Sequence, residues 1–338
     1  MISPPLAKRI PTICTTIVGT ELANIKDVLT LNNLNGKGTY SRLCEQWLES
    51  SMNGGRALAV SSCTTALEIA AILANIQPSD EIIVPSYTYV SSVNSFVLRG
   101  AVPVFVDLDN ATMNIDAGLI EAAITPKTRV IVPVHYAGIA CDMDRIMEVA
   151  KKHNLLVERA EILYEHGTNR APFMRGEVDR YQWLDMGLNA TLSELQAAFL
   201  YAQLQAADKI NGRRLEIWQR YQTNLAPLAQ KGYITLPHIP ANTTHNANVF
   251  YVRVTDETQR KDLIVHMDQA NIQTHPQFMP LHSSPYGLKN GRFVGVDRVT
   301  SLAISQILLL PVHLTLTDEE QGFVIREMFA FWKEDIEN

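Results

Sequence analysis

Between residues 57 and 157 the sequence alternates short, continuously apolar runs with amphipathic stretches, and this constrains the fold more than any other feature. The apolar runs at 57–60, 81–84, 102–106, 129–134 and 155–157 predict strands. The stretches at 64–75, 89–99, 115–124 and 142–153 predict helices between them. Strands without a polar side, joined in turn by helices through short connections, predict a mostly parallel sheet covered by helices on both faces. Two further helices are expected at 20–30 and 40–50, separated by the turn-rich loop Asn32-Asn33-Leu34-Asn35-Gly36-Lys37-Gly38. After the junction at 157/158 the alternation stops. Helices over 191–230 (Trp218 and Tyr221 at helical spacing), a strand at 249–254 and helices at 260–270 and 318–332 predict a smaller α+β domain. The expected division is 1–211 for the large domain and 212–338 for the small one.

A chain of 338 residues with 46% hydrophobic and 19% charged residues can bury a core of this size and is neither disordered nor fibrous. A net charge of −6 without a basic run argues against a nucleic-acid partner. Cys14, Cys44, Cys63 and Cys141 are scattered without a CxxC pair. That pattern fits reduced thiols in a cytoplasmic protein better than disulfides or a metal site. No apolar leader and no membrane-length apolar stretch are present, so neither secretion nor a membrane partner is expected.

Three features lie where doubly wound sheets bind ligands, beyond the C-terminal ends of their strands. Ser61-Ser62-Cys63-Thr64-Thr65 follows an apolar run and opens a helix. It reads as an anion site or as a simple N-cap. Val84-Pro85-Ser86-Tyr87-Thr88-Tyr89-Val90 brings aromatics that either stack on a flat heterocycle or fill the core. Pro133-Val134-His135-Tyr136-Ala137-Gly138 puts His135 on the same rim, where a functional and a structural histidine are about equally expected.

With Asp80-Glu81-Ile82-Ile83, Pro103-Val104-Phe105-Val106-Asp107 and Leu192-Ser193-Glu194-Leu195-Gln196-Ala197-Ala198, these motifs resemble the DegT/DnrJ/EryC1/StrS sugar aminotransferases. The resemblance runs from about Val18 to the C-terminus. It implies fold type I of the transferases that depend on pyridoxal 5′-phosphate. By position, Cys63 and Thr64 would hold the cofactor phosphate and Tyr89 would stack on the ring. Asn189 would reach the phosphate of a neighbouring subunit, which implies a homodimer. His135 and His282, the latter in Pro280-Leu281-His282, would face the substrate, although the family's histidine five residues before His282 is here Gln277. Ile120-Glu121-Ala122-Ala123-Ile124-Thr125 and Gly167-Thr168-Asn169-Arg170 through Asp179 are similar to members that act on a dTDP-4-keto-6-deoxyhexose. The implied reaction moves an amino group from glutamate to C4 of that sugar for surface-glycan biosynthesis.

Against this stands the junction at Val157-Glu158. The family's equivalent strand ends in a Glu-Asp-Ala-Ala-Gln-like motif whose Asp pairs with the ring nitrogen. A later Thr-Lys-Asn-like turn carries the lysine that bonds the cofactor aldehyde. About fifty residues, the size of a strand–loop–strand unit, are missing there, so two strands of the sheet are expected to be absent. No catalytic residue is therefore assigned, and covalent cofactor binding is not expected. Lys127, Lys151 and Lys152 precede strands and so belong to the wrong edge of the sheet, while Lys209 and Lys261 read as solvated helix positions. Lys37 alone falls near the rim by analogy. Asp107 and Asp109 follow the wrong strand for the ring nitrogen. Three readings remain open: an aminotransferase whose segment was lost from the sequence, an inactive binding or mixed-dimer subunit, and a dehydratase using His for Lys, which the loss of the whole turn opposes. Unpaired strand edges also predict marginal stability.

Overall fold

The computed structural model describes residues 8–52, 55–153, 179, 180, 182, 188, 190–276 and 278–334. The expected strand at 155–157, the junction, Asn189, Gln277 and the motif at 167–178 lie outside them. In chain order the helices are α1 Glu21–Thr30, α2 Thr39–Ser50, α3 Cys63–Leu73, α4 Ser91–Val97, α5 Ala117–Ala123 and α6 Met143–Lys152. They continue with α7 Glu194–Gln205, α8 Ala207–Asn224, α9 Ala226–Gln230, α10 Glu257–Gln269, α11 Pro285–Asn290, α12 Thr300–Gln306 and α13 Asp318–Phe331. The strands are β1 Glu81–Pro85, β2 Val102–Val106, β3 Thr128–Ile131, β4 Phe250–Arg253, β5 Arg292–Phe293 and β6 Ile307–Leu310.

The first sheet has the order β3-β1-β2-β5, and every pairing in it is parallel. Because side chains alternate across a strand, β1 and β2 feed two cores. Ile83, Val104 and Val106 pack with Ile115, Ile120 and Ile146 from the α5 and α6 side. Ile82, Val84 and Phe105 pack with Ala71, Val93 and Phe96 from the α3 and α4 side. Ile82 and Ile83 are both fully buried, and each burial stabilises by about 1.5–3 kcal/mol. The covering on both faces is the arrangement that the continuous apolar strands predict, and it makes this a fold of the type I α/β class.

The chain does not form a strand at 57–60. Only Val60 makes an isolated antiparallel bridge, to Thr191. The reason lies in α2, whose carboxylates take the bonds a strand would offer elsewhere: Ala57 N–H donates to Glu49 Oε1 (3.0 Å) and Ala59 N–H to Glu45 Oε1 (3.1 Å). β3 ends at Ile131, three residues earlier than expected. Val132 still donates to Ile83 O, but Pro133 has no N–H to continue the ladder.

The second core gathers Trp218, Tyr221, Phe250, Val252, Leu308, Leu310 and Met328 around the antiparallel pair β4–β6. The N-terminal stretch belongs here too: Ile10 is buried in this cluster and exchanges backbone bonds with Asn271 and Gln273. Two observations bear on the division at 211/212. Helix α8 runs through it without a break, and β5 returns from the distal part of the chain to pair with β2. A bidentate ion pair from Arg292 to Glu81 (Nε 3.2 Å, Nη2 2.9 Å) ties that return to the start of β1.

Candidate active site

The first element is the start of α3. Ser62 caps it in an extended conformation, and its Oγ accepts from Thr65 N–H at 3.1 Å. Ser62 and Thr65 hydroxyls lie 2.9 Å apart, and Ser61 Oγ lies 3.4 Å from Thr65 Oγ1. Ser61, Ser62 and Cys63 are exposed, while Thr64 is half-buried. Free first-turn N–H groups ringed by hydroxyls can receive an anionic oxygen. The Ser61 N–H donates to Ala190 O at 3.1 Å, so the residue after Asn189 sits at this helix start.

The second element is the aromatic rim after β1. Tyr87 is buried against Tyr136 (ring centroids 5.2 Å), and Tyr136 against Tyr251 (5.5 Å). Burial pushes the Tyr87 and Tyr136 phenols above their usual range, so both remain neutral donors. Tyr89, two residues on, is 59% exposed and free to meet a ligand on its outer face. Phe278 lies 5.9 Å from Tyr89 and 6.1 Å from Tyr87, bridging the exposed and buried rings.

His135 stands exposed at the end of the β3 segment, and its Nδ1 accepts from Cys141 N–H at 3.0 Å. That bond leaves the Nε2 side of the ring for solvent or a ligand. His282 is held at both ring nitrogens by the protein. Its Nδ1 lies 2.7 Å from Ser86 Oγ and its Nε2 3.1 Å from Asp297 Oδ2, so both ring nitrogens are engaged within the protein. The sequence reading did not single out Ser86 or Asp297. Ser86 was legible only as part of the rim motif, and nothing local marks Asp297.

Asp107 ends β2 and receives four hydrogen bonds from the start of α12: Arg298 N–H (2.8 Å), Val299 N–H (3.1 Å), Thr300 N–H (2.9 Å) and Thr300 Oγ1 (2.7 Å). Burial alone would raise its carboxyl, but these bonds outweigh it and hold the group below the usual carboxylate range. Asp109 accepts from Ala111 N–H and Thr112 within its own turn. Both aspartates are thus committed to backbone. Glu194, buried under α2, accepts from Gly38 N–H (2.9 Å), Tyr40 N–H (2.8 Å), Ser41 N–H (3.1 Å) and Ser41 Oγ. A Cβ on residue 38 would collide with that carboxylate, which is why Gly38 is there.

All eleven lysines of the sequence fall among the described residues. Ten are exposed; Lys152 pairs with Glu121 (2.6 Å) and Lys261 with Glu257 (2.8 Å). Lys127 directly precedes β3, at the edge opposite the rim. Lys37 is half-buried in the left-handed region (φ +67°) and bears on Glu45, which itself holds Ala59.

Tested against a pyridoxal phosphate, one half of the site fits. The α3 start suits its phosphate and Tyr89 its ring face. The other half does not: among the described residues no uncommitted aspartate and no buried lysine stands on the rim. A cavity of about 610 Å³, lined by Asp109, Asn114, Asp142 and Thr243 among others, takes in none of Cys63, Thr64, Tyr89, His135 or His282. Among the described residues no group of three His, Cys, Asp or Glu could hold a metal ion, and no helix is long and apolar enough to cross a membrane.

The profile of the DegT/DnrJ/EryC1/StrS aminotransferase family matches this sequence in two blocks, residues 15–159 and 155–329. The chain belongs to that family. The two blocks meet at the Val157-Glu158 junction. GDP-perosamine synthase of Caulobacter vibrioides is 34% identical over 321 residues, covering 80% of this chain and 84% of that protein. Since 80% of 338 is about 270 residues, about fifty aligned positions find no residue here, a length that accommodates two ordinary strands and their connection. The Bacillus subtilis spore coat polysaccharide biosynthesis protein SpsC is 28% identical over 86% of this chain and 88% of its own. Among solved structures, DesV of S. venezuelae in complex with a ketimine intermediate superposes with a TM-score of 0.86. It is 26% identical over 98% of this chain and 100% of that one. The NtdA structure from Bacillus subtilis, with bound cofactor PMP, has a TM-score of 0.83 at 24% identity, covering 98% and 87%. Membership fixes the lineage as sugar aminotransferase, with pyridoxal phosphate as the family's cofactor.

Proposed function

We propose that this chain retains the cofactor and sugar cradle of a nucleotide-sugar aminotransferase but bonds no cofactor covalently. In this reading Cys63 and Thr64, at the start of α3, hold the phosphate of pyridoxal 5′-phosphate, and Tyr89 supports the ring. Asn189 completes the phosphate cup of a partner copy in a homodimer, and the Nε2 side of His135 faces the sugar. When bound, the cofactor accepts the electron pair released at the carbon bearing nitrogen and carries the amino group. The described residues bind and orient; none among them is placed to move a proton at that carbon. The observation that carries the reading is the exposure of the lysines: ten of the eleven face solvent, and Lys37, near the rim only by analogy with the family, is half-buried. A shortfall of about fifty aligned residues against a relative, and a family match that comes in two blocks, support it further.

The intact lineage would aminate C4 of a dTDP-4-keto-6-deoxyhexose with glutamate as donor, in the cytoplasm, for a surface glycan. The 34% identity to a GDP-perosamine synthase favours a second nucleotide, GDP. This polypeptide then acts as an inactive paralogue or shortened gene product, a nucleotide-sugar-binding or mixed-dimer subunit of two parts, 1–211 and 212–338.

Titration with pyridoxal 5′-phosphate, followed by borohydride and peptide mass spectrometry, tests the proposal. We expect saturable ligand binding and no lysine adduct. A stoichiometric adduct at Lys37, or amination of a nucleotide keto sugar by the purified chain, overturns it. Parallel binding of dTDP- and GDP-sugars separates the two nucleotides, and the gene sequence across codons 157 and 158 shows whether a segment was lost.

A further inference from the structure

Ser86 is completely buried just past β1, and its carbonyl and hydroxyl both engage one distant segment. Its carbonyl accepts from Leu281 N–H at 3.0 Å, and its Oγ accepts from His282 N–H at 2.9 Å. The same Ser86 Oγ also lies 2.7 Å from His282 Nδ1. Asp297 Oδ2 lies 3.1 Å from Nε2 and, as a carboxylate oxygen, only accepts; that favours the Nε2–H tautomer and leaves Nδ1 to accept from the Ser86 hydroxyl. Asp297 is held in turn by Ser301 N–H on its other oxygen (3.0 Å). The ring lies against Phe293 of β5 (4.6 Å) and Phe105 of β2 (6.4 Å).

This order is the reverse of a hydrolytic triad, in which serine meets Nε2 and the carboxylate Nδ1. A fully buried hydroxyl also cannot reach a substrate. The relay has a mechanical consequence instead. It fixes Leu281 and His282 onto the rim, and four residues upstream of His282 the same segment presents Phe278 to both Tyr87 and Tyr89. Gly287 permits this path, since a side chain there would run into the Leu281 carbonyl.

We infer that Ser86, His282 and Asp297 are positioning residues, a hydrogen-bonded latch that sets the Tyr89 ring, through Phe278, for the planar ligand it supports. His282 is therefore a brace for the site and not a substrate ligand. The inference rests on the proposed function for the identity of that ligand, but its geometry is testable without it.

The experiment uses the full chain, first without ligand. Long-range proton–nitrogen NMR should show His282 as the Nε2–H tautomer. Ser86→Ala should speed exchange of the His282 amide by about tenfold or more, the equivalent of one lost buried hydrogen bond. It should also shift the Tyr89 ring signals, leaving those of Tyr221, in the other core, in place. His282→Asn keeps an acceptor where Nδ1 stood and should preserve the Tyr89 signals, whereas His282→Ala should not. Phe278→Leu should move Tyr89 while His282 keeps its tautomer. The latch is refuted by an Nδ1–H tautomer, or by Tyr89 signals that ignore Ser86→Ala and His282→Ala. Added pyridoxal 5′-phosphate should then bind at least about threefold more weakly to Ser86→Ala than to the parent chain, a change of about 0.7 kcal/mol. Equal affinity for the two proteins refutes the latch. No binding to either one sinks the proposed function and leaves the ligand-free result standing.

Discussion

The substitution Asp107→Asn removes one charge and exchanges one acceptor oxygen for a donor, in the place where β2 and α12 are joined. The carboxylate now satisfies three N–H groups and one hydroxyl, and it is 3% exposed. An asparagine presents one oxygen that can keep two of these bonds, and its NH2 faces donors on the other side. Two charge-assisted bonds at about 1.5 kcal/mol or more each give a loss of about 3 kcal/mol, since the orphaned donors stay buried. Urea titration at pH 7, followed by far-UV circular dichroism, measures it as a lower midpoint at an unchanged slope. The pH dependence has a definite sign. The Asp107 carboxyl is depressed in the folded state, so its contribution is complete above the unfolded value of about 3.9 and disappears as pH falls through the lower folded value. The gap between the parent and Asp107→Asn should therefore begin to close as pH falls below about 3.9 and shrink further through the lower folded value. A difference under about 0.5 kcal/mol at pH 7, or a gap that persists undiminished at acid pH, refutes this account of the joint.

Glu194→Gln should cost about 2 kcal/mol, because one acceptor must serve the four donors that hold α2, and thermal melting reads it as a lower midpoint. Ser62→Ala should lower stability by about 1 kcal/mol through loss of the α3 cap and weaken phosphate binding in isothermal titration. At pH 8 a thiol reagent should modify exposed Cys63 first. Burial pushes the thiols of Cys44 and Cys141 up to about 11, so both should label only in urea, as peptide mass spectrometry would show. Inorganic phosphate should slow the Cys63 reaction if the helix start is an anion site. If the two strands expected to be absent leave the fold marginal, calorimetry should give a broad transition; a sharp cooperative one would count against that expectation.

Local patterning located most of the elements that build the rim. β1 and β2 are runs of apolar residues buried on both faces, so their sequence alone carries them, and α6, α10 and α13 fall within three residues of their expected ends. The misses have physical causes. Residues 57–60 look like a strand by hydrophobicity, yet their backbone partners are the side chains of Glu45 and Glu49, which no periodicity reveals. β6, Ile-Leu-Leu-Leu before Pro311, is a short buried run that composition cannot separate from helix. The candidate site was legible where its parts are local: Ser62 caps α3, and Tyr89 is exposed just past β1. It was opaque where function depends on distance: Ser86 and Asp297 are 211 positions apart, and only the return of the chain through β5 makes them neighbours of one imidazole.

That return has a consequence for biosynthesis. β2 is finished at residue 106, but its outer neighbour begins at residue 292. At about 5–20 residues per second, a ribosome needs about 10–40 s to deliver it. Throughout that interval one margin of the nascent sheet is uncovered, with Phe105 and Glu81 awaiting Phe293 and Arg292. A protein of this layout cannot mature one half at a time, and its most vulnerable moment comes during its own translation.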